Sequence, residues 1–221
     1  MLDVRHLARL APDGRRLFDE IDLAVAKGGN VLVTGPSGSG KSQLLKVLAG
    51  TERPARGRVR VGGHRLWPGE GALGLGGRVK MGYASASGGL LSNLTLWDNV
   101  ALPLRFAGVP EGELRPRVDA ALAQLALTKL ANVRPHAVRL STRKHGDLAR
   151  VLAMAPEVIL LDDPMGGHDA ADKILVLDLI RRWSTDSACT LVIAAEDLHP
   201  FDFIAAERLQ LRRPGATREL S

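Results

Sequence analysis

The chain has 221 residues, a formal net charge of +6 and 45% apolar residues, and this length suits one domain with a large core. The only cysteine is Cys189, which excludes a disulfide framework and a cysteine-based metal cluster. The sequence has no apolar run of about 18 residues that would span a membrane, and its first residues lack the apolar stretch of a secretion signal, so a cytoplasmic location is favoured.

The positive charge comes mostly from arginines that are spread along the chain. They occur as short groups at 15–16, 56–60, 181–182 and 212–213, without a long basic block and without interleaved aromatic residues. This distribution predicts a solvated surface, and we expect no nucleic-acid partner. The six histidines are too scattered in the sequence to indicate a metal site.

The first part of the chain shows the pattern of antiparallel strands. Residues 1–30 read as two short strands joined by a turn at Pro12-Asp13-Gly14, and residues 21–25 alternate as in a half-buried strand. Residues 58–61 alternate again, and Gly62-Gly63 closes another hairpin. The glycine-rich residues 68–77 predict a surface loop.

Residues 31–45 carry the most specific pattern of the chain. A strand-like stretch precedes residues 35–42, which fit the phosphate-binding P-loop pattern G-x-x-x-x-G-K-[ST], and a helical pattern follows. Glycines at these positions let backbone N–H groups turn toward phosphate oxygens at the positive end of the helix. Lys41 is then expected to reach the β- and γ-phosphates, and the Ser42 hydroxyl to ligate Mg²⁺. The alternative is a flexible glycine turn with a chance Lys-Ser. The predicted nucleotide-binding residues are Gly35, Pro36, Ser37, Gly38, Ser39, Gly40, Lys41, Ser42 and Gln43.

The rest of the chain alternates strand and helix patterns. Residues 158–161 form a continuous apolar run, typical of a strand buried on both faces of a parallel sheet, and the run ends in Asp162-Asp163-Pro164. Residues 90–104 contain an apolar set that looks exposed. The other predicted elements are strands over 79–84, 189–194 and 209–211 and helices over 113–131, 142–154 and 170–183. Together they predict an α/β domain with a parallel sheet preceded by antiparallel hairpins.

With these residues in place, the chain resembles the ATP-binding subunit of an ABC transporter over nearly its whole length. Residues 53–59 look like the family segment after the P-loop helix, and residues 156–169 follow its pattern PevlllDEPtsaLD. Residues 90–104, LLSNLTLWDNVALPL, are similar to subunits of lipid and lipoprotein transport, nearest to the Mla type. The resemblance implies a P-loop NTPase fold: one ABC-type nucleotide-binding domain over 1–221, with an antiparallel β subdomain and a helical subdomain at approximately 88–150.

The resemblance also assigns roles near the phosphates. Asp162 takes the place of the family aspartate that holds Mg²⁺ together with Ser42; its alternative is an aspartate that ends a strand and caps a turn. Asp163 takes the place of the glutamate that acts as general base, and is either a short, weak base or a residue that only helps to bind the metal. Asp169 corresponds to a loop that touches the partner subunit, and it is also a candidate helix N-cap.

Several family positions are altered here, which predicts slow hydrolysis of ATP and leaves open whether the chain is an active ATPase. Ala86 stands for a glutamine that senses Mg²⁺, and Glu196 for a histidine that bonds to the γ-phosphate. Residues 138–144 keep only Leu140-Ser141 of the LSGGQ signature, which contacts the nucleotide of the opposite subunit. Asp163 is shorter than glutamate by one methylene, and a displacement of about 1 Å can cost roughly a hundredfold in rate. No Tyr or Phe lies between residues 2 and 17 to stack on adenine.

The implied partners are membrane permease subunits and a second ABC subunit, in a homodimer or a heterodimer. Leu90, Leu91 and Trp97 are either ordinary core or the groove that receives a cytoplasmic helix of a permease. The leading hypothesis is a cytoplasmic subunit on the inner face of the membrane, which couples binding of Mg-ATP to transport. The alternatives are an ATP-gated regulatory module without hydrolysis and a soluble ABC protein that acts on nucleic acid.

Overall fold

The computed structural model describes residues 1–11, 13–69 and 71–212; Pro12 of the predicted turn lies outside them. Nine strands are described: β1 (Leu2–Leu10), β2 (Arg16–Val25), β3 (Asn30–Thr34), β4 (Arg56–Val61), β5 (His64–Trp67), β6 (Met81–Ala84), β7 (Val158–Asp162), β8 (Thr190–Ala194) and β9 (Glu207–Gln210). The α-helices are α1 (Lys41–Leu48), α2 (Leu96–Phe106), α3 (Glu111–Gln124), α4 (Leu140–Met154) and α5 (Ala170–Thr185). Short 3₁₀ helices lie at Gly71–Leu75, Thr128–Leu130, Pro135–Ala137 and His199–Phe201.

The strands form two sheets of different kinds. The antiparallel sheet has the order β2-β1-β4-β5, and the second sheet has the order β6-β7-β8-β3-β9 with every neighbouring pair parallel. The predicted combination of antiparallel hairpins followed by a buried parallel sheet is therefore confirmed. In this order the carboxyl ends of β3, β7 and β8 lie side by side, which is where ligands bind in open α/β sheets.

The central strands of the parallel sheet are buried on both faces. Ile159 and Leu161 of β7 belong to one core cluster, which also holds apolar residues of α2, α3, α4 and α5. Val158 and Leu160 belong to a second cluster, between the parallel sheet, α1 and the antiparallel sheet. Successive side chains of a strand point to opposite faces, so an uninterrupted apolar run is what a two-sided core requires.

One predicted helix is shorter than its pattern. The helix expected over 113–131 is α3, which ends at Gln124 because Ala126 takes a left-handed φ of 56° that a continuing helix does not allow. Leu125 and Leu127 are nevertheless buried. The apolar spacing continued into this segment because its leucines fill the core from a turn and a 3₁₀ helix. Across the described ranges, no helix has both the length and the apolar character to cross a membrane.

Candidate functional site

The P-loop connects β3 to α1 at the carboxyl end of the parallel sheet. At Gly35 a Cβ atom would stand 2.4 Å from the Leu211 carbonyl oxygen, so the close passage of the chain requires glycine here. Gly40 is the N-cap of α1 with a φ of 95°, a left-handed conformation that favours glycine, and no side chain caps the helix. The N-terminal N–H groups of α1 are therefore left to face a ligand.

The lysine of the loop is held by the loop itself. Lys41 Nζ donates hydrogen bonds to the carbonyl oxygens of Gly35, at 2.6 Å, and of Pro36, at 3.0 Å. These bonds place the ammonium group beside the N-terminus of α1, so the positive charge and the N-terminal N–H groups converge on one region. Such an arrangement suits a polyanion such as a polyphosphate.

Ser42 and Asp162 are brought together from positions 120 residues apart. The Ser42 hydroxyl on α1 donates a hydrogen bond of 3.0 Å to Oδ1 of Asp162, the last residue of β7, and the Tyr83 hydroxyl lies 3.5 Å from Oδ2. Burial raises the pKa of Asp162, and the bond from Ser42 opposes this shift. A hydroxyl and a buried carboxylate side by side are oxygen ligands of the kind that Mg²⁺ prefers, so these residues fit the metal.

Lys41, Ser42 and Asp162 line a cavity of about 980 Å³, which we call the cleft. Six of the nine predicted nucleotide-binding residues line it: Ser37, Gly38, Gly40, Lys41, Ser42 and Gln43. Gly35 and Pro36 instead hold Lys41 through their carbonyl oxygens, and Ser39 is fully buried. Asp162 and Asp163 line it as well.

One wall of the cleft was not expected from the sequence. The residues in this wall that come from the β1–β2 hairpin are Arg9, Leu10, Ala11 and Leu17, and Arg9 is paired with Glu52 at 2.6 Å. No Tyr or Phe lies between residues 2 and 17 to stack on adenine, and the structure has an aliphatic surface at this rim instead. On α5, Lys173 and Leu177 also line the cleft. Their spacing of four residues, which places them on one face of a helix, is the sequence feature that could have indicated this.

Asp163 occupies a strained position just after β7. Its φ of 44° is left-handed, and its N–H donates a bond of 2.7 Å to the Ala194 carbonyl oxygen. Its carboxylate lies over Gly166, where an added Cβ atom would stand only 1.9 Å from Oδ2. The same oxygen lies 3.6 Å from Nζ of Lys144. The side chain is half exposed. Asp163 therefore lines the cleft with a carboxylate that is already engaged by a cation.

Two of the altered family positions, Ala86 and Glu196, also lie at the cleft. Ala86, two residues after β6, lines it without a polar group, and Glu196, two residues after β8, lines it with a carboxylate. The Glu196 carbonyl oxygen accepts a bond of 3.2 Å from the Thr34 hydroxyl, which fixes this segment to the end of β3. The sequence therefore identified positions that the fold brings to the same cleft.

The remnant of the signature begins a helix away from the cleft. α4 starts at Leu140, with Arg139 as N-cap and no capping hydrogen bond from its side chain, so Ser141 lies inside the first turn. None of the residues of α4 contributes to the wall of the cleft as the described residues define it. Ser141 is buried, so its hydroxyl is covered at the start of the helix rather than exposed there.

Asp169 caps α5, with its carboxylate accepting a bond of 2.9 Å from the N–H of Asp172. This bond lowers the pKa of Asp169. Beside it, the rings of His145 and His168 stack with centroids 5.0 Å apart, and burial lowers the pKa of both. The N-cap interpretation of Asp169 is thus confirmed by geometry, whereas its contact with a partner stays a prediction.

The apolar set after β6 is mixed in its exposure. Leu96 is fully buried and Leu91 is 47% exposed, so the expectation of an exposed set is wrong for Leu96. Trp97 is partly buried: its Nε1 donates to Asp119 of α3 at 2.8 Å, and two guanidinium groups lie 5.3 and 5.4 Å from its ring. Buried Asn99 bonds to both the N–H and the carbonyl oxygen of Leu91 and so holds this segment in place.

Comparison with known proteins gives a consistent result. The family described as "ABC transporter" matches residues 18–166. The lipoprotein-releasing system ATP-binding protein LolD of Chromohalobacter salexigens is 32% identical over 201 residues, which cover 89% of this chain and 85% of LolD. The methionine import ATP-binding protein MetN 1 of Rhodococcus jostii is also 32% identical, over 207 residues, and the match spans 90% of this chain but only 60% of MetN 1.

The fold is shared with solved structures. The dimeric structure of MJ0796, described as a bacterial ABC transporter cassette, superposes with a TM-score of 0.87 at 23% identity and covers 100% of both chains. At this identity the similarity concerns the fold alone.

Proposed function

Because this chain belongs to the ABC transporter family, we propose that it is an ATP-binding subunit that couples binding of Mg-ATP to membrane permease subunits. The observation that carries the proposal is the contact of 3.0 Å between Ser42 Oγ and Asp162 Oδ1, beside Lys41 and the open N-terminus of α1. Hydroxyl, carboxylate, ammonium and helix N-terminus meet at one end of a cleft large enough for a nucleotide.

Each part of the site has a role toward the nucleotide. The N-terminus of α1 and Lys41 would hold the phosphates, and Ser42 with Asp162 would hold Mg²⁺. When bound, this ion neutralises charge on the phosphates. Leu10, Ala11 and Leu17 offer an apolar surface to the base in place of an aromatic ring. All of these groups come from one chain.

Hydrolysis by this subunit is expected to be slow. The carboxylate directly after the metal-binding aspartate is that of Asp163, which is one methylene shorter than the glutamate of the family and lies over Gly166. Ala86 supplies no polar group to the cleft, and the charge of Glu196 would repel a γ-phosphate. The binding set is thus intact while the groups that would activate water are weakened.

A second candidate function is an ATP-gated module that does not hydrolyse ATP. The observation in its favour is the contact of 3.6 Å between the Asp163 carboxylate and the Lys144 ammonium group, because a paired carboxylate is a poor acceptor for the proton of a water molecule. In that case binding of Mg-ATP alone would close the subunit against its partner.

The partners that we propose follow from the family. A second ABC subunit, identical or different, would complete the site, since the α4 N-terminus lies away from the cleft of its own chain. Permease subunits at the inner face of the membrane would contact the region of Leu91. A lipid or lipoprotein cargo is supported by residues 90–104 and by the similarity to LolD, whereas the name of MetN 1 points to a different cargo.

The decisive experiment for the proposed function is a titration of ATP with and without Mg²⁺. We expect Ser42→Ala to weaken binding in the presence of Mg²⁺ by about tenfold, and to leave binding in excess EDTA unchanged, because it removes one ligand of the metal only. The matched control is Ser187→Ala, an exposed serine before β8 at the opposite end of the parallel strands. Binding that is equal in wild type and Lys41→Ala would contradict the proposal.

A further inference from the structure

Helix α4 carries buried polar side chains that reach the cleft only indirectly. Lys144 and Asp147 are 4% and 0% exposed, in a helix that also packs apolar residues into the core. Asp147 Oδ2 accepts bonds from the N–H groups of Ser85, at 2.9 Å, and Gly89, at 3.0 Å. It therefore holds the loop that carries Ala86, while Lys144 points to the segment after β7.

Lys144 directs its ammonium group at one turn, residues 163–166, which we call the 163–166 turn. Nζ donates bonds of 2.7 Å to the Asp163 carbonyl oxygen and 2.6 Å to the Gly166 carbonyl oxygen. The same nitrogen lies 3.6 Å from the Asp163 carboxylate. The ammonium group thus joins both ends of the turn and also faces the one side chain of the turn that could take part in chemistry.

The position of the Asp163 carboxylate depends on this turn. Asp163 has a left-handed backbone conformation, which costs about 1 kcal/mol or more for a residue with a side chain and persists only where surrounding bonds enforce it. Three hydrogen bonds enforce it. The Asp163 carbonyl oxygen accepts from Lys144 Nζ and, at 3.3 Å, from the Gly166 N–H, and the Asp163 N–H donates to the Ala194 carbonyl oxygen. The carboxylate also packs directly on Gly166, which has no side chain in the way.

We propose that Lys144 is a positioning residue of the nucleotide site, which fixes the 163–166 turn and through it the Asp163 carboxylate at the cleft. This inference rests on the proposed function, because it gives Asp163 its role toward the water that attacks ATP. Lys144 itself does not line the cleft and acts only through the turn. It connects α4, the helix that begins with the altered signature, to the segment after the metal-binding aspartate.

The kinetic test compares Lys144→Met with Lys144→Arg. The methionine side chain keeps an unbranched shape but loses all donors, so the turn relaxes, and a carboxylate displaced by about 1 Å lowers kcat for phosphate release by roughly 10- to 100-fold. KM for Mg-ATP is expected to stay within about twofold, since the P-loop is untouched. Arginine, which keeps the charge and the donors, restores most of kcat.

The matched control is Leu148→Ala, a buried residue of α4 in the apolar core. It lowers stability through a cavity and is expected to leave kcat within about threefold of wild type below its unfolding temperature. If Leu148→Ala lowers kcat as much as Lys144→Met, or if Lys144→Met changes kcat and KM together, Lys144 is merely structural and the inference is overturned.

If wild type releases no phosphate, slow hydrolysis is refuted as part of the proposed function. The inference about Lys144 can still be tested in that case, by a measurement of stability. Denaturant midpoints are measured for Lys144→Met, Asp163→Asn and the double variant. We expect the two shifts to be non-additive, because the residues are in contact. Additive shifts would show that Lys144 does not hold the Asp163 side chain, and would overturn the inference independently of any ATPase activity.

Discussion

Asp162→Asn is predicted to stabilise the chain without nucleotide and to weaken its response to Mg-ATP. Asp162 is 5% exposed, and among the described residues it has no Lys, Arg or His nitrogen within 4.0 Å. Its polar contacts are with Ser42, at 3.0 Å, and Tyr83, at 3.5 Å. A buried carboxylate with these partners alone is costly, whereas an amide accepts the same bond from Ser42 without carrying a charge.

The size of the effect follows from opposing contributions. Desolvation of a buried charge costs several kcal/mol, and hydrogen bonds to a charged group return about 1.5–3 kcal/mol each, which leaves a net gain of about 1 kcal/mol for the variant. For a chain of this length that corresponds to a rise in Tm of about 2–4 °C. Because burial raises the pKa of Asp162, the cost is fully present above that raised pKa and disappears below the usual value of 3.8.

The assay is thermal unfolding of wild type and variant at pH 7, with EDTA alone and with excess Mg-ATP. Ligand at 100 times its Kd stabilises by about 2.7 kcal/mol, or about 5 °C or more, in wild type, and by clearly less in the variant. The order of the two Tm values is therefore expected to reverse. A variant that is less stable than wild type in EDTA, or equally stabilised by Mg-ATP, would refute the reasoning.

Three further predictions concern other groups of the site and the core. Asp163→Glu extends the carboxylate toward the cleft and should raise phosphate release by about tenfold or more; an unchanged rate would show that Asp163 is not the base. Burial lowers the pKa of His145 and His168 below the usual 6.5, so the folded state resists their protonation. The denaturant midpoint should therefore fall as pH drops from 7 through 6.5, and His168→Asn should flatten this dependence; an equal slope in both proteins would contradict it. Burial raises the pKa of Cys189 to about 12, so the native thiol should label with Ellman's reagent only as the chain unfolds, and rapid labelling at pH 8 would contradict its burial.

The sequence predicted the parallel core and the P-loop because both depend on local pattern. The run at 158–161 is apolar at every position since alternate residues serve two separate core clusters, and the glycines of the P-loop mark backbone conformations that few other residues adopt. The resemblance implied that Asp162 acts together with Ser42, and the fold brings them together because the parallel strands end at a common edge of the sheet.

Other features of the site depend on contacts between distant segments and gave no signal. Lys144 looked like part of a degenerate motif, and only the fold turns its side chain toward residues 163–166. The predicted end of α3 was wrong because Leu125 and Leu127 are buried although they lie beyond the last residue of the helix. Their apolar spacing therefore resembled a continued helix. The aliphatic wall from the β1–β2 hairpin has no sequence motif, because it arises only where the fold brings this hairpin close to the P-loop.

The most direct test of the central claim is a single-turnover experiment with protein in excess over Mg-ATP labelled at the γ-phosphate. Bound nucleotide and released phosphate are followed in the same samples for wild type and Lys41→Ala. We predict that wild type retains the nucleotide and releases phosphate slowly, and that Lys41→Ala, which loses the ammonium group of the P-loop, retains little of it. Rapid release of phosphate in wild type would contradict the weakened catalytic set, and failure of wild type to retain Mg-ATP would contradict the binding site itself.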